Sequence, residues 1–397
     1  MQNTNTAHEA PLRSFRITVP EPAQSGVAAL LEEEGFRFEP EPFSACCRRL
    51  TAEPRPLGSS LAAFFGLIYI QDRSSMLPPL ALAPEKGAAV LDMCASPGSK
   101  TGFLAQLVGP GGFVLANEVS HSRLFTLRQN LRVCNFLQAG TCSYEGQHIP
   151  LAPGSLRYIQ LDPPCSGWGT AVKNPKVMEL WHDDKVKPLI GLQRLLLRRA
   201  AELLAPGGVV VYSTCTTNSG ENERQVEYAE ACLGLTREPL DPFPGFYWDD
   251  REGSEGTLRV DGERSRSQGF YVARLRKTGE PEPEIEEIDG ELHYELSIEA
   301  LMKIMAIDDA WLTTCVVPGA WYSRVPSVDG SRVPVAWSMM AHNTVEVQMP
   351  ATVYAALNRR IPWFGVDDAE RWIIRMLRSG VTQLGSSVAW MSLQKAL

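Results

Sequence analysis

The sequence predicts an α/β fold with a mainly parallel sheet between residues 87 and 277. Short apolar runs, such as Val209-Val210-Val211, have the length and composition of buried strands. Stretches with helical periodicity separate these runs, which is the order expected when helical crossovers join parallel strands. Several runs end in loops that carry thiols or carboxylates, where open α/β sheets hold their ligands. Together these observations predict a sheet covered by helices on both faces.

The predicted elements follow one another as short runs bounded by glycine and proline. Strands are expected at 88–91, 113–116, 158–161 and 209–212, and helices at 103–108, 122–134 and 189–204. The last helix is followed by Pro206, Gly207 and Gly208, which are poor helix formers. A final apolar run at 270–275 is expected to be the last strand, antiparallel to the others and at an edge of the sheet.

Segments of different composition flank this region. Residues 1–12 are polar and are expected to be a flexible tail, whereas residues 13–86 mix helical and strand-like pieces, which predicts a small α+β N-terminal domain. Residues 278–291 are acidic and interrupted by proline, as in a linker. Residues 292–397 hold six of the nine tryptophans and are expected to form a β-rich C-terminal domain. The predicted catalytic domain is therefore 87–277.

The composition restricts the class of protein. The chain has 397 residues and a net charge of −8, which weighs only weakly against a polyanionic partner because an acidic protein can carry a local basic groove. Its nine cysteines include no C-x-x-C pair, which argues against a disulfide framework or a zinc site and for a reducing compartment. No signal peptide or membrane-spanning stretch is apparent. We expect a cytoplasmic monomer without a metal or a membrane partner.

Two cysteines stand at the ends of predicted strands. Cys165 follows Asp162-Pro163-Pro164, and Cys215 lies in Tyr212-Ser213-Thr214-Cys215-Thr216. A thiolate is a strong nucleophile. A second thiol beside it indicates covalent chemistry that needs two groups able to exchange protons.

The loop after the first predicted strand has features of a cofactor site. Gly98 permits close approach of the backbone to a ligand, and the next helix presents its N-terminus there. The loop matches neither G-x-x-x-x-G-K-[ST] nor G-x-G-x-x-G, which excludes a P-loop and the NAD fingerprint. The candidate cofactor residues of this loop are Cys94, Ala95, Ser96, Pro97, Gly98, Ser99 and Lys100. The alternative interpretation of Cys94 is a thiol that packs in the core.

Three carboxylates narrow the choice of cofactor. Glu118 lies 20 residues after Gly98, where an acid can accept hydrogen bonds from ribose hydroxyls. Glu145 follows a presumed further strand, and Asp162 follows the run at 158–161. Several acids along one sheet edge suit an adenosine ligand with a cationic centre, which favours S-adenosylmethionine over a polyphosphate. Such acids are otherwise helix N-caps, and for Glu145 the two interpretations are evenly balanced.

In their order along the chain, these motifs resemble those of a known family. The motifs are Asp92-Met93-Cys94-Ala95-Ser96-Pro97-Gly98-Ser99-Lys100-Thr101, Asp162-Pro163-Pro164-Cys165-Ser166-Gly167, Tyr212-Ser213-Thr214-Cys215-Thr216, Asn218-Ser219-Gly220-Glu221-Asn222-Glu223 and Gly269-Phe270-Tyr271-Val272-Ala273-Arg274-Leu275. They resemble the RNA cytosine-5 methyltransferases of the Sun family, which includes bacterial ribosomal RNA enzymes. The likeness covers roughly residues 60–277 and is specific because several ordered motifs agree.

The resemblance implies a Rossmann-like methyltransferase domain that uses S-adenosylmethionine and acts on carbon 5 of cytosine in RNA. Cys215 would be the nucleophile that adds to carbon 6, and Cys165 would assist release of the product. Asp162 would hold the cytosine edge, and Lys100 would lie near the base or the cofactor. A free thiol has a pKa of about 8.5, so a nearby Lys100 would raise the thiolate fraction.

The sequence departs from the family pattern at a few positions. Ser96 and Ser99 replace the usual Ala and Gly, which are small-for-small changes, and Gln268 replaces an acid. Trp168 stands where a small or acidic residue is commoner. Its side chain would either stack on a base or pack against the protein.

Other functions fit the motifs less well. Enzymes that methylate amino groups carry an aromatic residue after Pro-Pro, where this chain has Cys165, and DNA cytosine methyltransferases lack a second Thr-Cys loop. The second thiol also disfavours a protein or small-molecule methyltransferase. A catalytically idle RNA-binding or ribosome-assembly factor stays open, although the intact Cys165 and Cys215 pair speaks against it.

By resemblance, ribosomal RNA is favoured over transfer RNA, with the target base flipped out or single-stranded. The predicted flanking domains at 13–86 and 292–397 are candidates for RNA binding. The candidate basic or polar contacts are Arg48, Arg49, Lys173, Asn174, Lys176, Arg194, Arg198 and Arg199. The alternative interpretation is that each of these side chains lies on an ordinary solvated surface and does not contact RNA.

Overall fold

The computed structural model describes most of the chain up to residue 279. The described residues are 11–109, 112–134, 136, 139–171, 174, 176–180 and 183–279, with three short strands at 293–296, 315–318 and 336–337. Most of the predicted tail at 1–12, the linker at 278–291 and the C-terminal domain at 292–397 lies outside the described residues.

The described strands and helices alternate through the middle of the chain. The strands are β1 (Ser14–Ile17), β2 (Arg37–Glu41), β3 (Ser44–Ala52), β4 (Ile68–Ile70), β5 (Ala89–Asp92), β6 (Phe113–Asn117), β7 (Ala139–Cys142), β8 (Leu156–Leu161), β9 (Leu204–Thr214), β10 (Leu235–Glu238), β11 (Leu258–Val260), β12 (Phe270–Lys277), β13 (His293–Leu296), β14 (Cys315–Pro318) and β15 (Ala336–Trp337). The helices are α1 (Glu21–Glu33), α2 (Leu61–Phe64), α3 (Leu77–Leu82), α4 (Ser99–Val108), α5 (His121–Val133), α6 (Lys176–Leu180), α7 (Asp183–Leu203) and α8 (Glu223–Cys232).

The larger sheet has the strand order β10-β12-β9-β8-β5-β6-β7-β15, with β11 paired to β12. The five strands from β9 to β7 in this order are parallel to one another. β12 is antiparallel to both β9 and β10. The chain crosses from β5 to β6 on one side and later to β8 on the other, which makes β5 the point where the strand order reverses.

Side chains of the central strands alternate between two buried faces, as expected for a parallel sheet covered on both sides. Leu91 and Val210 pack in the cluster that contains Leu196 of α7. Val90 and Val211 pack in the opposite cluster with helices α3, α4 and α5. The predicted α/β class with a mainly parallel, two-sided sheet is therefore confirmed.

Several predicted elements have other bounds in the structure, since α4 begins at Ser99 and β9 spans Leu204–Thr214. Two further differences concern α7 and β12. The helix predicted at 189–204 begins at Asp183 and includes Pro188, because buried side chains such as Val186 anchor its first turns and packing overrides a local helix breaker. The run at 270–275 is antiparallel as predicted, but it is not an edge strand. β10, a strand that the prediction omitted, pairs with the outer side of β12.

The N-terminal part of the chain forms its own antiparallel sheet, with the order β2-β3-β1-β4. Its core is built from large apolar side chains, including Phe15, Leu31 and Phe36. The boundaries predicted for the N-terminal domain stay predictions.

Two buried arginines connect this sheet with the rest of the molecule. Arg73 forms an ion pair with Glu41, with 2.6 Å between Nη2 and Oε2, and donates to the carbonyls of Ser265 and Gly245 at 2.9 Å each. Arg16 lies 4.7 Å from the ring centre of Phe103 in α4. The N-terminal sheet is therefore joined to the larger sheet through charged groups held away from water.

In the part of the chain that the structure describes, every helix is too short or too polar to cross a bilayer.

Candidate active site

Four neighbouring strands end at one edge of the larger sheet and carry reactive side chains there. The residues at or directly after these ends are Asp92 on β5, Glu118 on β6, Asp162 on β8 and Cys215 on β9. The carboxyl edge of an open sheet, at the reversal of strand order, is where such folds bind ligands. Of the residues predicted to lie at the ends of strands, Glu118, Asp162 and Cys215 follow neighbouring parallel strands of this sheet.

The two thiols predicted to act together are in contact. The Sγ atoms of Cys165 and Cys215 are 3.4 Å apart, although 50 residues separate them in the sequence. They meet because β8 and β9 are neighbouring parallel strands and each cysteine lies in the loop that leaves its strand. Both residues are partly buried and partly exposed.

The surroundings give the two thiols opposite acid–base character. The hydrogen bond from Cys165 is the largest cause that lowers the pKa of Cys215, and the Lys100 ammonium contributes in the same direction. The same hydrogen bond, together with burial and the charge on Cys215, raises the pKa of Cys165. Cys215 is therefore the group that ionises first, and Cys165 is the neutral thiol that donates to it.

An ion pair lies beside the thiols. Lys100 Nζ is 2.6 Å from Asp162 Oδ2, and Ser213 Oγ donates to Asp162 Oδ1 at 3.1 Å. Burial opposes the charge on Lys100, but the Asp162 carboxylate outweighs it, so the pKa of Lys100 is raised. Lys100 thus stays cationic near Cys215, as the sequence analysis expected.

Asp92 was not predicted as a site residue, although it stands within the first motif. It is 1% exposed, and Oδ2 accepts a hydrogen bond from Thr101 Oγ1 at 2.7 Å. Oδ1 has no hydrogen-bond partner among the described residues. Burial raises the pKa of Asp92 to about 7. A buried carboxylate oxygen without a partner at the end of β5 is suited to receive a donor from a ligand.

Helix α5 shapes the loop between β5 and α4. The side chain of Asn130 donates to the carbonyl of Pro97 at 2.7 Å, and Ser96 exchanges hydrogen bonds with Arg123 at 3.0 Å. Gly98 has a φ of +101°, and a Cβ there would lie 2.9 Å from Leu127 Cδ1. Glycine is therefore required for the turn and for packing on α5, which is a different reason from the ligand approach that the sequence predicted.

The remaining cofactor candidates differ in their surroundings. Cys94 packs against the core and burial raises its pKa, which fits the interpretation as a core thiol. Glu118 is 3% exposed and accepts from the backbone N–H of Ser120 at 2.9 Å. Glu145 is exposed, and its carboxylate bonds to His148 Nδ1 at 3.0 Å. This contact replaces the N-cap bond that was the alternative for Glu145.

The loop after Cys165 contacts the loop of Cys215. It forms a single turn over Trp168–Thr170, in which the Gly169 N–H donates to the Cys215 carbonyl at 2.9 Å. Trp168 is half-buried, and its indole N–H finds no acceptor among the residues that the structure describes. This hydrogen bond ties the turn that contains Trp168 to the loop of Cys215.

The basic candidates for RNA contact separate into two groups. Arg194 and Arg198 are exposed and converge on Tyr228, with Arg194 Cζ 5.0 Å from the ring centre and Arg198 donating to the hydroxyl at 3.1 Å. Arg199 instead donates to the carbonyls of Ile149 and Leu151, which makes it a structural residue.

The other basic candidates provide less support for an RNA-binding surface. Arg49 pairs with Glu39, and Arg48 donates to backbone carbonyls of its own strand. Asn174 and Lys176 are exposed, and Lys173 lies outside the described residues. Among the residues described, no cluster of histidine, cysteine and carboxylate side chains is placed to hold a metal ion.

Comparison with known proteins places this geometry in a family. Residues 79–276 match the family model described as 16S rRNA methyltransferase RsmB/F. The chain is 39% identical over 287 residues to a ribosomal RNA small subunit methyltransferase F of Serratia proteamaculans, covering 70% of this chain and 59% of that protein. It is 37% identical over 295 residues to the protein of the same name from Cronobacter sakazakii, covering 71% and 61%.

A solved structure agrees with these sequence relatives. The crystal structure of a methyltransferase homolog from Pyrococcus horikoshii matches with a TM-score of 0.60 and 32% identity, covering 68% of this chain and 87% of that one. The larger sheet has the Rossmann-like fold of S-adenosylmethionine-dependent methyltransferases. The chain belongs to the Sun family, the group that its ordered motifs resemble.

The match does not extend over the full length of the relatives. The chain spans about 60% of the length of the two curated relatives named above.

Proposed function

We propose that this protein methylates carbon 5 of a cytosine in RNA, with S-adenosylmethionine as the methyl donor and a transient bond between Cys215 and carbon 6. The observation that carries the proposal is the 3.4 Å contact between two thiols at the carboxyl edge of a methyltransferase sheet. Their opposite acid–base character supplies a nucleophile and a proton donor in one place.

The residues around the end of β5 fit the proposed cofactor. The unpartnered Oδ1 of buried Asp92 can accept a hydrogen bond, and buried Glu118 stands where ribose hydroxyls are bound in related folds. The loop from Cys94 to Ser99, held by α5, would form the floor of this site, with Lys100 and Asp162 on the side of the thiols. When bound, S-adenosylmethionine supplies an electrophilic methyl group on its sulfonium.

Cys215 begins the reaction. Its thiolate adds to carbon 6 of cytosine, forming a sulfur–carbon bond and moving an electron pair toward carbon 5, which then takes the methyl group. Asp162 would hold the cytosine edge as the ring loses aromaticity, and Lys100 orients Asp162 through the 2.6 Å ion pair. The carbon 5 proton must then leave, and the sulfur–carbon bond must break with its electron pair returning to Cys215.

Cys165 acts in the second half of the reaction. Its pKa is raised in the resting protein chiefly by the hydrogen bond to Cys215. Once the sulfur of Cys215 is bonded to carbon, that thiolate no longer exists, and the main cause that keeps Cys165 protonated is gone. Cys165 can then be deprotonated and assist removal of the carbon 5 proton, so that the adduct is released.

Ribosomal RNA is the favoured substrate, because the relatives named above are ribosomal RNA small subunit methyltransferases. Transfer RNA is the alternative, and the cytoplasm is the expected compartment for either. An idle RNA-binding factor is less well supported, because Cys165 contacts Cys215 and Lys100 contacts Asp162.

The proposal is tested by incubating the protein with labelled S-adenosylmethionine and either 16S ribosomal RNA without modifications or a transfer RNA pool. Digestion to nucleosides should yield 5-methylcytidine from the ribosomal RNA and none with the Cys215→Ala variant. A methylated nucleoside other than 5-methylcytidine would refute the chemistry. Binding of RNA without methyl transfer to either substrate would favour the idle factor.

A further inference from the structure

Three consecutive residues after the Cys215 loop are buried and polar. Glu221 and Asn222 are 0% exposed, and Glu223 is 4% exposed. Buried polar groups of this kind cost free energy unless they are hydrogen-bonded. Their hydrogen bonds go to the two loops that carry the thiols. The family resemblance of the motifs does not explain these contacts.

Glu221 holds the loop of Cys165. Its carboxylate accepts from Ser166 N–H at 2.9 Å and from Ser166 Oγ at 2.5 Å, directly after the cysteine. Gln193 Nε2 donates to the same carboxylate at 3.0 Å and to the carbonyl of Pro164 at 2.9 Å, directly before the cysteine. Both neighbours of Cys165 in the sequence are therefore tied to Glu221 or to its partner.

Asn222 holds the loop of Cys215 in the same manner. Thr214 Oγ1 donates to Asn222 Oδ1 at 2.5 Å, and Asn222 Nδ2 donates to the carbonyl of Thr216 at 3.0 Å. These two residues stand immediately before and after Cys215. A single asparagine side chain thus brackets the cysteine.

Glu223 extends the network by one residue. It pairs with buried Arg259 at 3.1 Å, and Arg259 donates to the carbonyl of Thr217 at 3.1 Å. The hydroxyl groups of Ser166 and Thr216 lie 2.7 Å apart and join the two loops directly. The segment 221–223 is therefore packed beneath both loops.

We propose that Glu221 and Asn222 are positioning residues with separate tasks, in which Glu221 sets the place of Cys165 and Asn222 sets the place of Cys215. The inference rests on the proposed two-thiol reaction and assigns one residue to each half of it. Asn222 would serve formation of the adduct, and Glu221 would serve its release.

The charge of Glu221 adds a chemical reason to the geometric one. Its negative charge contributes to raising the pKa of Cys165, after the larger effects of the hydrogen bond to Cys215, of burial, and of the charges on Cys215 and Asp162. Glutamine at position 221 removes this charge. It also offers one acceptor oxygen in place of two, so it cannot accept from Ser166 N–H, Ser166 Oγ and Gln193 together.

The test compares Glu221→Gln, Asn222→Ala and a control, Glu227→Gln, which changes an exposed carboxylate on α8, the helix that follows these two residues. Denaturing electrophoresis with labelled RNA measures the adduct, and nucleoside analysis measures product. Glu221→Gln should slow product release and accumulate adduct. Asn222→Ala should slow adduct formation and leave little of it. Each rate should fall on the order of tenfold to a hundredfold, as expected for misplaced reacting groups.

A second readout does not depend on methyl transfer. Iodoacetamide labelling of the full-length protein, mapped to individual peptides, measures how fast each thiol reacts at a given pH. Peptide mapping is needed because the pKa of Cys46 is lowered to about 6, mainly by its hydrogen bond with Cys47, so a total thiol count would include it. In Glu221→Gln, Cys165 should react faster near neutral pH. In Asn222→Ala, Cys215 should react more slowly.

Equal changes of both thiols in both variants, or no change beyond the control, would overturn the division of tasks. If the wild-type protein transfers no methyl group but the labelling shows the separate effects, the proposed function fails and the positioning holds. If Glu221→Gln does not fold, Gln193→Ala removes the side chain that ties Pro164 to Glu221, and it should change the labelling rate of Cys165 while leaving that of Cys215 unchanged. Unchanged labelling of Cys165 in that variant would overturn the assignment to Glu221.

Discussion

Cys165 and Cys215 are chemically the same side chain, and only their neighbours separate them. The hydrogen bond from one sulfur to the other lowers the pKa of Cys215 and raises that of Cys165. Lys100 adds to the asymmetry because its ammonium group favours the thiolate of Cys215. The roles inferred from the motifs therefore have an electrostatic cause that can be tested one residue at a time.

Replacing Lys100 by Met should move the acid limb of the pH–rate profile to higher pH. The cation that helps lower the pKa of Cys215 is lost, so the thiolate forms only at higher pH. Single-turnover methyl transfer between pH 6 and 9 measures the limb. Lys86→Met, which changes an exposed lysine, should leave it in place. A Lys100 variant with an unshifted limb would remove Lys100 from the activation of Cys215.

Ionisation of Asp92 should lower the free energy of unfolding as the pH rises. Burial raises its pKa from 3.8 in the unfolded chain to about 7, so the folded protein holds the proton longer than the unfolded chain does. The free energy of unfolding therefore falls between about pH 4 and pH 7 through this group, and the loss is complete above pH 7.

The Asp92→Asn variant should gain stability relative to the wild type as pH increases from 5 to 7, and the gain should level off above pH 7. Urea unfolding at several pH values, without cofactor, measures the difference. Asp250→Asn, at an exposed carboxylate, is the control. A difference between Asp92→Asn and wild type that does not change with pH would mean that Asp92 ionises normally.

At the scale of elements, the loop between β5 and α4 depends on one glycine. Gly98→Ala would force a Cβ into a φ of +101° and to within 2.9 Å of Leu127 Cδ1. We expect the variant to bind S-adenosylmethionine about tenfold more weakly in calorimetry, because alanine is strained at this positive φ and the turn that forms the floor of the site must change its backbone conformation.

Gly154→Ala is a matched control for this loop. Gly154 also has a positive φ, +70°, but a Cβ there meets nothing within 4 Å. It should cost about 1–2 kcal/mol of stability through backbone strain and leave cofactor affinity unchanged. Equal affinities in the two variants would show that the Gly98 turn does not shape the site.

The sequence predicted the central parallel strands because each of them is a short apolar run that ends in a loop with reactive side chains. The meeting of Cys165 and Cys215 follows from β8 and β9 being parallel neighbours, which the alternation of elements already indicated. The start of α7 was missed because Pro188 is a local signal and the packing of Val186 is not.

The tasks of Glu221 and Asn222 could not be predicted from sequence. Their partners stand up to 55 residues away, and hydrogen bonds between distant loops have no sequence pattern. The same holds for the role of α5 in holding Pro97. The Glu-Asn-Glu run was visible in the sequence as part of a motif. Three consecutive polar residues soon after a buried strand were the only available signal of a role in positioning the loops.

At the scale of the molecule, the buried carboxylate of Glu41 holds the Arg73 guanidinium, which joins the N-terminal part of the chain to the carbonyls of Gly245 and Ser265. Glu41→Gln leaves the Arg73 guanidinium without its carboxylate, and breaking a buried pair costs about 3–5 kcal/mol. Urea unfolding should show this loss. Glu39→Gln removes an exposed pair with Arg49 and should cost less than about 1 kcal/mol. Similar losses in both variants would show that the buried pair does not stabilise this connection.

A net charge of −8 is compatible with the proposed RNA substrate, because an acidic protein can present local basic sites, and the exposed Arg194 and Arg198 both contact Tyr228. The chain also spans only part of the length of its relatives, so recognition of a particular RNA is a property to be measured on this chain.

The most direct measurement is to trap the bond between protein and RNA. Full-length Cys165→Ala, mixed with substrate RNA and S-adenosylmethionine, should give a complex that survives denaturing electrophoresis, and mass spectrometry should locate the RNA on the peptide of Cys215. The Cys215→Ala variant should give no complex. A stable complex in the Cys215 variant, or a nucleotide attached to any other residue, would contradict the proposed reaction.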